Sequence, residues 1–132
     1  MPSVAHLIGT PWVSGGRDAA LGLDCWGLII AAARDCYALA LPDYRGYSDG
    51  DDLEQTRALF ENRSAWLSIE RDAELLGDVI VLRLAGTPAH AGLVIDDGVM
   101  LHSLRGRNAC LERYSSRAWV DRIEGFYRWL PR

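Results

Sequence analysis

The side chains best suited to covalent chemistry near neutral pH are one thiol and two imidazoles: Cys25, His90 and His102. Only a thiolate is strongly nucleophilic, and an ordinary cysteine with a pKa near 8.5 is roughly 3% ionised at pH 7. Its surroundings must therefore favour the ionised form. Asp24 is a good helix N-cap residue, which puts Cys25 at the first helical position. Partial positive charge at the start of a helix stabilises a thiolate there. Cys25 also precedes Ile29 by four residues on one helical stripe, so its side chain is expected to face the core, with Gly27 leaving space beside it. Cys36, on the same stripe, and Cys110, in a strand, read as core thiols. A Cys25–Cys36 disulfide is excluded, because eleven helical residues span roughly 16 Å.

A nucleophilic thiol needs a base within hydrogen-bond reach, and that base needs a third group to orient it. His90 opens one expected strand and His102 closes the next, with Asp96-Asp97-Gly98 between them. A two-residue Asp97-Gly98 turn would pair Asp96 with Val99 and put the histidines on opposite faces. A three-residue loop would pair Ile95 with Val99, set Gly92 opposite His102, and leave His90 as its diagonal neighbour on the same face. The three-residue loop is the expectation, because only that register lets the two rings cooperate. A zinc site built from Cys25, His90 and His102 lacks any close ligand pair, so no metal is expected. No serine-triad motif is present, and His6 has no assigned role.

The elements that must hold these groups come in two kinds. Asp24 to about Leu41 reads as a helix, with apolar residues spaced by three and four and Pro42 at its end. Residues 42–50 form an aromatic loop, and Asp51 to about Asn62 suggests a second helix. After Gly77-Asp78 the pattern changes to strands: Val79–Leu84, Ala91–Ile95, Val99–His102, about Ala109–Arg113, and Ile123–Trp129. Helices followed by short strands indicate an α+β domain, with N-terminal helices packed on a C-terminal antiparallel sheet of about five strands.

Composition narrows the function classes. The chain has 132 residues, a net charge of −4 and fourteen basic residues that are all arginine. That length suits a single domain, 1–132. The acidic balance argues against a nucleic-acid binder that neutralises phosphates. No apolar run is long enough for a membrane-spanning helix, and no secretory signal is expected at the start. Segment 43–78 has ten acidic residues against four arginines, whereas from Arg105 onward seven arginines face three acids. That basic stretch reads as a solvated sheet edge or as a surface for an anionic polymer or acidic partner.

Five motifs then occur in order: Gly9-Thr10-Pro11-Trp12-Val13 with Gly15-Gly16, Asp24-Cys25-Trp26-Gly27-Leu28, Gly77-Asp78-Val79-Ile80-Val81, His90-Ala91-Gly92-Leu93-Val94, and Met100-Leu101-His102-Ser103. Together they resemble the NlpC-type cell-wall cysteine peptidases, a branch of the papain-like superfamily, over nearly the whole chain. The Asp-Cys-Trp-Gly-Leu form, with Leu41-Pro42-Asp43-Tyr44 following, further resembles the bacteriophage and prophage tail-assembly branch. The resemblance implies a papain-like fold, with Cys25 as nucleophile, His90 as general base and acid, and His102 orienting His90. It implies hydrolysis of peptidoglycan stem peptides, typically between D-glutamate and diaminopimelate, without cofactor or metal. Expected partners are stem peptides and phage tail-tip proteins, with no nucleic acid and no membrane. The protein would be made in the host cytoplasm, built into a tail, and act on the periplasmic wall. Trp12 stands where many members have a tyrosine, so an indole N–H replaces a hydroxyl near the oxyanion or lines the cleft. Asp24 belongs to the same cleft region, and the backbone N–H of Cys25 plus one N–H from the lead-in turn are the expected oxyanion donors. Competing readings are a tail-assembly component with a vestigial site and a related transferase or deamidase.

Overall fold

The computed structural model describes residues 3–44 and 65–130. The expected second helix over 51–62 and the loop beyond Tyr44 lie outside the described residues. Helix α1, Cys25–Tyr37, begins where Asp24 caps it: extended at φ −79°, ψ −177°, Asp24 accepts the Gly27 N–H on its side chain. The helix stops short of Pro42 because Ala38 turns left-handed at φ 52°. The N–H groups of Ala38 and Leu39 then fold back onto the Ala33 carbonyl. That turn returns Leu39 to the core, where it is buried, so the apolar stripe outlasts the helix.

Among the described residues the sheet has six antiparallel strands rather than about five. These are β3 (Trp66–Ile69), β4 (Val79–Leu84), β5 (Thr87–Asp96), β6 (Val99–His102), β7 (Cys110–Arg113) and β8 (Ile123–Trp129). Their spatial order is β3-β8-β4-β5-β6-β7. Strand β3 was not expected, and neither was the short hairpin of β1 (Arg17–Asp18) with β2 (Gly22–Leu23). In the central strand β4, Val79 to Leu82 have no exposed surface, and apolar clusters cover both sheet faces. One cluster joins Val79, Val81, Ala91, Leu93 and Leu101 to α1, where Ala31, Ala32 and Ala33 allow close approach. The other gathers Ile80, Val94, Met100 and Phe126 under Tyr114 and Trp119. Among the described residues no helix is long and apolar enough to cross a membrane.

The β5–β6 connection departs from the expected three-residue loop. Asp96 pairs with Val99 across Asp97-Gly98, and Gly98 takes φ 71°. Pairing then shifts by one residue between Val94 and Asp96, which leaves Ile95 as a bulge. Below it, Val94 faces Met100 and Leu93 faces Leu101, the register that the longer loop was meant to produce. The extra residue sits in the strand instead of the turn. Continuing that register brings Gly92 against His102, and a Cβ on Gly92 would stand 3.3 Å from the His102 Cβ.

Candidate active site

Each residue of the Asp24-Cys25-Trp26-Gly27 segment has a separate positional task. Asp24 is completely buried, and its Oδ1 accepts the Gly27 N–H at 2.7 Å and an Arg17 guanidinium N–H at 2.7 Å. Arg17 is held in turn by the Gly16 carbonyl at 2.8 Å and Asp43 at 2.9 Å. Asp24 is therefore a buried, paired helix cap. Trp26 is buried, donates to the Pro42 carbonyl at 2.9 Å, and stacks on Tyr44 at 5.4 Å between centroids. Gly27 does not provide the open space beside the thiol that the sequence led one to expect. A Cβ there would lie 2.2 Å from the Gly16 carbonyl oxygen, so glycine is what lets the lead-in segment close onto the helix. Cys25, at the first helical position, is fully buried and carries no disulfide. Its helix packs against β5 and β6, the strands that carry both histidines.

His90 and His102 meet directly. His90 Nε2 lies 2.8 Å from His102 Nδ1, and both rings are buried. His102 Nε2 lies 2.8 Å from Glu112 Oε1, while Trp119 donates its indole N–H to Glu112 Oε2 at 3.0 Å. Trp119 also packs edge-on to His102, with centroids 5.5 Å apart. Glu112 and Trp119 were missed in the sequence. The available signal was an acid inside the expected strand Ala109–Arg113, on the same face as the partner of His102.

Electrostatics give this chain a direction. Burial, reinforced by His90, pushes the His102 pKa down to about 4, against the opposing pull of Glu112. Burial raises the Glu112 carboxyl, but hydrogen bonds from Trp119 and His102 outweigh it and hold the group below its ordinary value. At neutral pH the contact is thus a hydrogen bond from a neutral imidazole to a carboxylate, not an ion pair. An ionised carboxylate only accepts, so the proton sits on His102 Nε2 and His102 Nδ1 is the acceptor. His90 then donates through Nε2, which makes its Nδ1 the basic nitrogen. This is the arrangement a general base requires.

The lead-in segment reaches this neighbourhood through backbone pairing. Gly9 N–H and Thr10 C=O bond to Ala109, just before β7, and Trp12 bridges to Leu23. Arg105 stacks on the Trp12 ring at 4.9 Å, and among the described residues neither the buried Trp12 Nε1 nor the buried Ser103 hydroxyl has a hydrogen-bond partner. The remaining cysteines and His6 are placed differently from one another. Cys36 is partly buried and donates to the Ser3 carbonyl at 3.4 Å, whereas His6 is exposed and bonds Asp35 at 2.9 Å. Cys110 is the direct cross-strand partner of His102.

Comparison with known proteins places this architecture. A NlpC/P60 family protein from Bacillus cereus ATCC 10987 superposes with a TM-score of 0.67 at 22% identity, over 95% of this chain and 37% of the other. A protein from Staphylococcus aureus subsp. aureus Mu50, described as similar to lipoprotein, NLP/P60 family, gives 0.65 at 23% identity, over 96% and 38%. The NlpC/p60 domain of the peptidoglycan hydrolase SagA gives 0.58 at 20% identity, over 92% and 89%. The chain thus spans little more than a third of the first two proteins. No curated protein matches it in sequence. The sequence profile of the NlpC/P60 family matches residues 9–128, and the chain belongs to that family.

Proposed function

We propose that the protein is a cysteine peptidase that hydrolyses amide bonds of peptidoglycan stem peptides, of the D-glutamate–diaminopimelate type. The observation that carries this reading is the directed chain Glu112–His102–His90, which leaves a basic nitrogen on His90. The catalytic roles follow from the chemistry. His90 Nδ1 takes the Cys25 thiol proton, and the thiolate attacks the scissile carbonyl carbon. The oxyanion rests against the N–H of Cys25 at the helix start, where the helix dipole also favours negative charge. The Trp12 indole N–H, without a partner among the described residues, is a second candidate donor. His90 then gives its proton to the leaving amine, which departs and leaves a thioester on Cys25. Water, deprotonated by His90, attacks the thioester; the acid is released and the proton returns to sulfur. His102 keeps the correct His90 tautomer throughout.

Similarity in fold to the NlpC/p60 domain of a peptidoglycan hydrolase supports the substrate class. Delivery to the wall as part of a phage or prophage tail rests on the Asp-Cys-Trp-Gly-Leu motif form. Mass spectrometry of purified peptidoglycan digested with wild type and Cys25→Ala tests the reading. Wild type should release stem-peptide fragments with a new amino terminus at the cleaved bond, and Cys25→Ala should release none. Equal release by both proteins, or none by folded wild type, overturns it.

A further inference from the structure

The face of β6 and β7 that carries the histidine relay also carries a second thiol. Cys110 pairs directly with His102, and Glu112 follows two residues later on the same strand, so all three side chains share one face. A ring nitrogen of His102, Cys110 Sγ and a Glu112 carboxylate oxygen all lie within 4.8 Å of one another, and Nε2 is the nitrogen that faces Glu112, at 2.8 Å. Imidazole, thiolate and carboxylate together suit zinc and similar divalent transition-metal ions. With Zn–N of about 2.0 Å and Zn–S of about 2.3 Å, one ion bridges nitrogen and sulfur up to about 4.3 Å apart. The separations in this cluster, none above 4.8 Å, come within about half an ångström of that span.

Groups that would orient the ligands are already in place. His90 holds the other nitrogen of His102, and Trp119 holds the other oxygen of Glu112 at 3.0 Å. β7 is an edge strand of the described sheet, and Cys110 and Glu112 are only partly buried, so the cluster lies towards the surface. Arg107 Nη2, 3.7 Å from Glu112, lies on a largely exposed side chain that can swing into solvent.

We propose that His102, Cys110 and Glu112 form an inhibitory site for zinc or a similar divalent transition-metal ion, which switches the relay off by reversing its hydrogen bonds. The inhibitory part rests on the hydrolase reading above; the binding part does not. The bound ion takes the lone pair of His102 Nε2, whose proton is lost as His102 Nδ1 gains the one from His90 Nε2. His90 Nδ1 takes up one proton from water in turn, balancing the one that His102 Nε2 gives up to water, so the two rings keep the same number of protons on exchanged nitrogens. The Cys110 thiol proton leaves to water as the Cys110–metal bond forms. A His90 protonated at Nδ1 cannot accept the Cys25 proton, and attack stops.

Binding is tested with Co²⁺ on the full chain carrying Cys25→Ala and Cys36→Ala, which leaves Cys110 as the only thiol. A thiolate-to-cobalt charge-transfer band is expected, and adding Cys110→Ser should remove it while the thermal unfolding temperature stays close to that of the parent. Inhibition is tested by muropeptide release. Zinc should slow the wild type by roughly tenfold or more, the scale on which altering the surroundings of a ligating histidine acts. A chelator should restore the rate, and Cys110→Ser should hydrolyse normally yet resist zinc. The absence of a thiolate band, or zinc inhibition undiminished in Cys110→Ser, overturns the proposal. A Cys110-dependent band in that protein, together with a folded wild type that releases no fragments, supports the metal site and overturns the hydrolase reading instead.

Discussion

The start of α1 and the β5–β7 edge both bury polar groups, but they satisfy them in opposite ways. At the helix start the groups form an ion pair. Asp24 has no exposed surface, and its charge is met by Arg17 at 2.7 Å and a helix N–H at 2.7 Å. A second such pair lies across the sheet, where buried Asp78 takes both Arg128 nitrogens at 2.8 Å. At the β5–β7 edge the buried groups are two imidazoles in a hydrogen-bonded chain that ends on a partly exposed carboxylate. Buried ions must be paired to be tolerated, and a saturated pair holds its protons fixed. Imidazoles can exchange which nitrogen carries the proton. The first region is therefore suited to positioning Cys25, and the second to moving a proton.

The largest effect that separates the two regions should come from Asp24→Ala. It removes the cap and leaves Arg17, only 13% exposed at its side chain, without its buried partner. A destabilisation of about 3–5 kcal/mol is expected by denaturant unfolding. A loss below about 1 kcal/mol would mean that charge pairing does not hold the helix start.

Acidification should weaken the second region from within. His102 has a folded pKa of about 4 against roughly 6.5 when unfolded, so the unfolded chain binds more protons between those values. Its contribution is complete above about pH 6.5 and is lost as pH falls towards 4, by at most about 3 kcal/mol. Glu112, held below its ordinary value, loses its contribution in the same direction at still lower pH. Unfolding measured against pH should show this slope in wild type and a shallower one in His102→Gln. Equal slopes would place the titration elsewhere.

The smallest effect in free energy should be the most informative about function. In Glu112→Gln the neutral amide no longer compels His102 to carry its proton on Nε2. A fall of about 10–100-fold in kcat/KM is expected, carried by kcat rather than KM. Asp24→Asn, which keeps the cap's shape, should instead alter stability more than kcat. A Glu112→Gln enzyme as fast as wild type would remove the carboxylate from the relay.

The elements most legible in the sequence were those defined by local pattern. The bounds expected for β4, β6 and β8 agree with those observed, because alternation or a short apolar run between turn residues marks a strand. β1 and β2 escaped notice because two residues carry no readable period, and β3 was missed as well. The end of α1 was missed because Ala38 adopts φ 52°, which its residue type does not advertise. The hairpin was half legible: the lower register was anticipated, while the bulge at Ile95 that creates it was not.

By itself the sequence determined the helix cap at Asp24, the thiol that follows it, the two imidazoles and the family pattern around them. These depend on neighbours along the chain. Tertiary structure decided what the imidazoles lean on. Glu112 and Cys110 reach His102 only through the β6–β7 register, in which His102 faces Cys110 and Met100 faces Glu112. A slip of one residue would turn both side chains to the other face of the sheet. No local spacing encodes that choice, because pairing across a loop is set by which register buries the apolar residues and satisfies the polar ones.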